Sequence, residues 1–268
     1  MMPFDPSSGA AAPDCVSVPA ALAMRGCARD KVAQWQPGLA RQPLHSEIFA
    51  SADEASGAGL ALALARDALG ARDALACEDT CAQDDRRQIL WVQDRHAIRL
   101  SGRPYLHGLP ADLRHRVIHV AAKTPEDALF AIEEGLKCRD LACVIGEMVG
   151  NPRALTFVTS RRLSLAAERA KIALWLVRLN AAPDLSSARM RWQVSPAVSS
   201  PPRWDAAAPG AAQWRAELFR ARGHAPGEWM LSDDREGLRA ARLVTEPAGT
   251  PDHGAMAGES GARSLAAG

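Results

Sequence analysis

The sequence predicts an α/β protein: a mostly parallel sheet covered by helices, extended near its C-terminal end by an antiparallel strand and hairpin. Three observations predict it. Short apolar runs alternate with helix-periodic stretches between about His45 and Asn180. One of those runs, Ile172–Val177, is apolar at every position, as strands buried on both faces of a parallel sheet must be. After Asn180 the pattern switches to two-residue alternation in Arg189–Val194 and Trp214–Arg220, which fits strands with one wet face.

The first strand is expected at Glu47–Ala50, followed by a small-residue loop and a helix over Leu60–Leu69. That helix carries leucines among alanines nearly all round, so it should be buried. Ile89–Val92 and Val117–Val120 read as strands. Thr124-Pro125-Glu126-Asp127 then opens a helix: Thr124 caps it, Pro125 suits its first position, and two acids meet the positive end of its dipole. A strand over Leu141–Ile145 should end at Gly146-Glu147. The next helix is expected from Thr159 to about Ala170, with Leu163, Ala166, Ala167 and Ala170 inward. Gly223–Gly227 reads as a turn into a last strand, Glu228–Leu231. Outside this span, residues 1–43 form an extension with one helix candidate at Ala20–Gln34, and residues 232–268 read as a largely disordered tail. The folded domain is expected over 44–231.

Composition narrows the function. Of 268 residues, 47% are hydrophobic and 24% charged, with net charge +1, the balance of a folded protein able to bury a core. No apolar run approaches the ~20 residues that span a bilayer, and the N-terminal residues lack the basic start of a secretory signal. Six cysteines without export read as reduced thiols in the cytoplasm. The charge is uneven: residues 151–222 hold twelve Lys/Arg against four Asp/Glu, a surplus of eight that leaves −7 for the remainder. A basic segment in an acidic protein suggests contact with nucleic acid or an acidic partner, with solvated helix and strand faces as the plain alternative.

The first loop, Ser51–Gly59, lies where an α/β fold binds ligands, at the carboxyl end of a strand and the start of a helix. A working phosphate loop there needs Gly-Lys-Ser/Thr, the lysine for the phosphates and the hydroxyl for magnesium. Here Gly57 is followed by Ala58 and Gly59, while Asp53, Glu54 and Ser56 make up the rest of the loop. Cation and metal anchor are both missing, so tight magnesium-dependent ATP turnover is not expected and no cofactor is assigned. Asp94, after Ile89–Val92, and Glu147, one step past Gly146, form a candidate acidic rim.

Other chemistry has less support. Cys77 and Cys81, and Cys138 and Cys143, lack the partner pairs that a structural zinc requires; no metal site is expected. There is no Gly-x-Ser-x-Gly elbow, and His119 reads as a half-buried histidine within a strand. In the basic segment Arg161 and Arg162 oppose the dipole of their own helix. Arg191-Trp192, Arg203-Trp204 and Trp214-Arg215 pair a phosphate-neutralising cation with an aromatic. In strands such neighbours point to opposite faces, so Trp192 and Trp214 are expected inward and their arginines outward, leaving Trp204 as the best interface residue. Arg161, Arg162 with Arg189 and Arg191 form one candidate surface. Arg203, Trp204, Arg215, Arg220 and Arg222 lie on the other, within 203–231.

Taken in order, His45–Ala50, Ile89–Arg95, Gly102–Tyr105, Asp127–Leu136, Val144–Glu147, Arg161–Arg169, Trp214–Leu218 and Arg220–Gly223 resemble the ImuA family. These are RecA-like bacterial proteins encoded with translesion-synthesis genes, and the resemblance is to their alphaproteobacterial branch. It implies a RecA-like core without recombinase activity, acting in the SOS response with an ImuB-type polymerase-like protein and an error-prone DnaE-type polymerase. Against RecA, Ala58 falls at the phosphate-loop lysine, Gly59 at its hydroxyl residue, and Asp94 near the water-positioning glutamate. The expectation is a non-catalytic adaptor, with RecA and DNA as further candidate contacts. The alternative is an ATP-dependent or DNA-binding regulator of recombination that uses Asp94 or Glu147.

Overall fold

In the computed structural model the described residues are 44–76, 87–222, 225–234 and 237–243. Their elements run β1 (His45–Ala50), α1 (Ser56–Ala76), β2 (Gln88–Asp94), α2 (Arg95–Ser101), β3 (Val117–Ala122), α3 (Pro125–Gly135) and β4 (Leu141–Val149). Then come α4 (Phe157–Ala170), β5 (Ala173–Leu179), β6 (Met190–Pro196), β7 (Ala212–Ala221), β8 (Gly227–Asp234) and β9 (Gly237–Leu243). The strands form one sheet in the order β3-β2-β4-β5-β1-β6-β7-β8-β9. From β3 to β6 every pairing is parallel; β6 to β9 pair antiparallel. The architecture is the expected α/β one, consistent with a RecA-like fold. None of its described helices is long and apolar enough to cross a membrane.

The register separates the two faces. On one, Leu90, Val92, Val144, Leu174 and Leu176 meet Leu129, Ile132 and Leu136 of α3 and Leu163 and Ala167 of α4. Burying each large aliphatic side chain there contributes roughly 1.5–3 kcal/mol. Gly146 lets α3 approach: a Cβ at that position would lie 2.6 Å from Ile132 Cδ1. The other face packs under α1, where Leu60, Leu64 and Leu69 are buried. A Cβ on Gly57 would meet Val177 Cγ1 at 2.7 Å and Ala50 Cβ at 2.9 Å, so the start of α1 lies flat on the sheet.

Several boundaries differ from expectation. β4 does not stop at Ile145 but continues through Gly146 and Glu147 to Val149. Helix α4 begins at Phe157, capped by Thr156, whose side chain accepts from the Thr159 N–H; Thr159 is its third residue. Thr124 caps α3 as expected, accepting from the Asp127 N–H. Strand β6 begins the expected antiparallel extension by pairing with β7, and its other edge pairs parallel with β1. Structure also continues past Leu231, with β8 reaching Asp234 and β9 spanning Gly237–Leu243, so those residues are not tail. The helix candidate at Ala20–Gln34, the pair Cys77 and Cys81, and the stretch beyond Leu243 lie outside the described residues.

Candidate functional site

The loop Ser51–Ala55 joins β1 to α1 at the carboxyl end of the parallel strands. A phosphate cradle works through free backbone N–H groups, and this loop uses two of them internally. The Ala52 N–H donates to Asn180 Oδ1 at 2.9 Å, and the Asp53 N–H donates to Ser51 Oγ at 3.2 Å. Asn180, held at φ 50°, itself donates its backbone N–H to the Ala50 carbonyl. Farther along, the Trp214 indole stands against Gly59: a Cβ there would be 3.1 Å from Trp214 Cζ2. Asp53 is exposed and Glu54 partly so, Ser56 and Gly57 are buried, and Ala58 brings no charge. This set of residues does not fit a magnesium–nucleotide complex.

The two acids are not a solvated rim. Asp94 ends β2, is buried, and caps α2 by accepting from the Ala97 N–H at 2.6 Å. Glu147, only 1% exposed, accepts from Trp91 Nε1 at 2.6 Å, Gln93 Nε2 at 3.1 Å and Ser101 Oγ at 3.3 Å. Burial pushes its carboxyl above the usual range; the three donors pull the other way, and the Asp94 charge adds to the rise. Each acid is committed to structure. Half-buried His119 bonds Gln93 Oε1 through Nε2 at 2.9 Å, extending the same polar cluster to the edge strand β3.

Sequence-predicted arginines separate into paired and unpaired groups. Arg162 reaches Glu133 of α3 at 2.7 Å, Arg189 binds Glu168, and exposed Arg215 binds Glu228. Arg191 corrects the expectation of an outward side chain. It is buried, with Nε 2.7 Å from Glu47 Oε2, and its guanidinium lies over the Phe49 and Phe219 rings. Buried Arg178 completes that cluster, its guanidinium 3.4 Å from Asp184, while Ser186 donates to Glu47 Oε1 at 2.7 Å. The residues 180–188 roof this part of the sheet, which is why alternation misplaces Arg191. Trp192 and Trp214 are inward as expected. Trp204 is 80% exposed and Arg203 is exposed beside it.

Arg161, Arg220 and Arg222 are exposed and carry no ion pair among the described residues, and they converge on one groove of about 630 Å³. One wall is α4, where Phe157, Arg161, Leu165 and Glu168 recur at helical spacing. The facing walls are Ser186–Arg189, leading into β6, and Arg220–Arg222 at the end of β7. Phe157 and Leu165 are 47% and 41% exposed. Hydrogen bonds fix the walls: Ser164 Oγ meets His45 Nδ1 and Ser187 Oγ, each at 2.7 Å, the Ser187 N–H donates to Ser160 Oγ, and the Arg222 N–H donates to the Arg189 carbonyl. Thus the two proposed arginine surfaces share one groove through Arg161, Arg189, Arg220 and Arg222, while Arg162 and Arg191 turn elsewhere, and Arg203, Trp204 and Arg215 do not line it. Sequence reasoning missed Phe157 and Leu165. Their spacing of four from Arg161 on either side was the available signal, hidden by starting the helix at Thr159.

No protein-family profile matches the chain. Two curated relatives, both named Protein ImuA and from Caulobacter vibrioides strains NA1000/CB15N and ATCC 19089/CB 15, are each 33% identical to it over 187 residues. The similarity covers 65% of this chain and 72% of theirs.

Proposed function

The chain belongs to the ImuA family, and from that premise we propose that it is a non-catalytic, RecA-like accessory protein of damage-induced, error-prone translesion synthesis. In this reading it acts by contact, as an adaptor between an ImuB-type polymerase-like protein and a DnaE-type polymerase. The observation that carries the non-catalytic part is the loop before α1. Ala58 and Gly59 stand at the two positions where phosphate-loop chemistry needs a cation and a hydroxyl. Around them, the Ala52 and Asp53 N–H groups are spent on Asn180 and Ser51, and Trp214 lies against Gly59. The rival, an ATP-dependent regulator, requires Asp94 or Glu147 to be free for metal or water; Asp94 caps α2 and Glu147 holds three internal donors.

The test is co-purification of tagged full-length chain with each polymerase component, paired with damage-induced mutation frequency in cells lacking the gene. The adaptor reading expects association with at least the polymerase-like component and restoration of induced mutation by the wild-type chain. It also expects the Ala58→Glu variant, aimed at the nucleotide position, to restore mutation within about twofold. Failure of both components to associate, or loss of induced mutation in Ala58→Glu with its fold and abundance intact, contradicts it.

A further inference from the structure

Part of the charge surplus of residues 151–222 is met inside the fold. Five of its twelve cations, Arg162, Arg178, Arg189, Arg191 and Arg215, are ion-paired within the chain. Arg161, Arg220 and Arg222 are different: exposed, without a carboxylate partner among the described residues, and directed to the same groove. Placing like charges together is unfavourable, by an amount that solvent and salt reduce but do not reverse. The arrangement therefore favours an anionic occupant. Phe157 and Leu165 stand in the same groove with large exposed apolar surfaces, which water solvates poorly.

We propose that this groove docks an acidic segment of a protein partner, one that places an apolar side chain against Phe157 and Leu165 while its carboxylates meet Arg161, Arg220 and Arg222. The inference rests on the adaptor reading and gives that adaptor a site. Three observations favour a peptide over single-stranded nucleic acid. A nucleic acid tract is followed by a line of cations with successive flat aromatic platforms, whereas here the cations converge and Phe157 is the only aromatic among the described residues that line the groove. Leu165 offers no plane for a base but is an ordinary partner for an aliphatic side chain. The volume, about 630 Å³, falls in the range that encloses a few side chains. The walls are already hydrogen-bonded through Ser164, Ser187 and Arg222, so little ordering is needed on binding.

The experiment selects a random dodecapeptide display library on purified full-length chain, then measures the enriched peptides and a thirty-nucleotide oligo-dT by fluorescence anisotropy. Arg161→Glu/Arg222→Glu and Leu165→Ser are compared with the wild type, and thermal melts confirm that these exposed substitutions leave the fold intact. Enriched peptides should carry several Asp or Glu residues around an apolar one and lose at least tenfold in affinity on the double reversal. They should lose several-fold on Leu165→Ser and weaken with added salt. Selection without acidic enrichment, or equal binding to the double reversal, overturns the proposal; so does oligo-dT binding lost in that variant, which would assign the groove to nucleic acid. Failure of the adaptor reading would look different: the polymerase components would not co-purify with the wild type, whatever the peptides do.

Discussion

His45 shows how much a single side chain can set. Its strand, β1, carries it under α4, where Nδ1 meets Ser164 Oγ at 2.7 Å while Nε2 is buried without a hydrogen-bond partner among the described residues. Burial pushes its pKa down to about 4; Glu47 and Glu168 oppose that shift and Arg191 adds to it. The unfolded histidine titrates near 6.5, so between about pH 6.5 and 4 the unfolded chain binds the extra proton. The stability it contributes is complete above 6.5 and is lost as pH falls, by up to about 3 kcal/mol at pH 4. Asp67, raised to about 6 by burial and by Asp233, has the opposite slope over roughly pH 6 to 4, so the wild-type curve alone understates the histidine. Denaturant unfolding of His45→Gln against wild type isolates it: the variant should gain relative stability as pH drops from 7 to 5, and parallel curves would contradict the assignment. Nothing in the sequence around His45 marks this burial, because it arises from a helix more than a hundred residues away.

At the scale of elements, what is encoded locally was legible and what is encoded by packing was not. Thr124-Pro125-Glu126-Asp127 announces α3, and the apolar run of β5 announces a central strand, because caps and burial on two faces leave marks in adjacent residues. Glu147 looked like a strand-end acid because an acid inside a buried strand is improbable; Trp91, Gln93 and Ser101, supplied by β2 and α2, make it tolerable. Strand β9 escaped notice because Gly237–Leu243 has little apolar contrast of its own and is held by pairing with β8. In the loop before α1, Ala58 and Gly59 are legible in the sequence, but the Trp214 contact could not be seen, since β7 lies far along the chain. That contact yields a prediction: the graft Ala58→Lys/Gly59→Thr should not install nucleotide binding. A threonine Cβ would press on Trp214 at 3.1 Å, and the Ala52 and Asp53 N–H groups stay occupied. The variant should melt below the wild type and show no saturable binding of magnesium–ATP; tight binding by the graft would contradict the argument.

For the whole molecule, the same nine-stranded sheet supports two rims with opposite prospects. At the carboxyl ends of the parallel strands, the loop spends its Ala52 and Asp53 N–H groups on Asn180 and Ser51. Beside the start of β6, where β7 ends and α4 crosses, three arginines stand without ion-pair partners among the described residues, next to exposed apolar side chains. The basic segment was legible as a sum of charges, but its division into internal ion pairs and one open groove follows from the packing of α3, α4 and the residues 180–188, which no local pattern encodes. The proposed adaptor role requires the first rim to be without nucleotide chemistry. Equilibrium titration of the purified full-length chain with magnesium–ATP, followed by calorimetry and by phosphate release, is the direct measurement. It should show no saturable binding into the millimolar range and no release above buffer; stoichiometric binding with turnover abolished by Asp94→Ala or Glu147→Ala would contradict it.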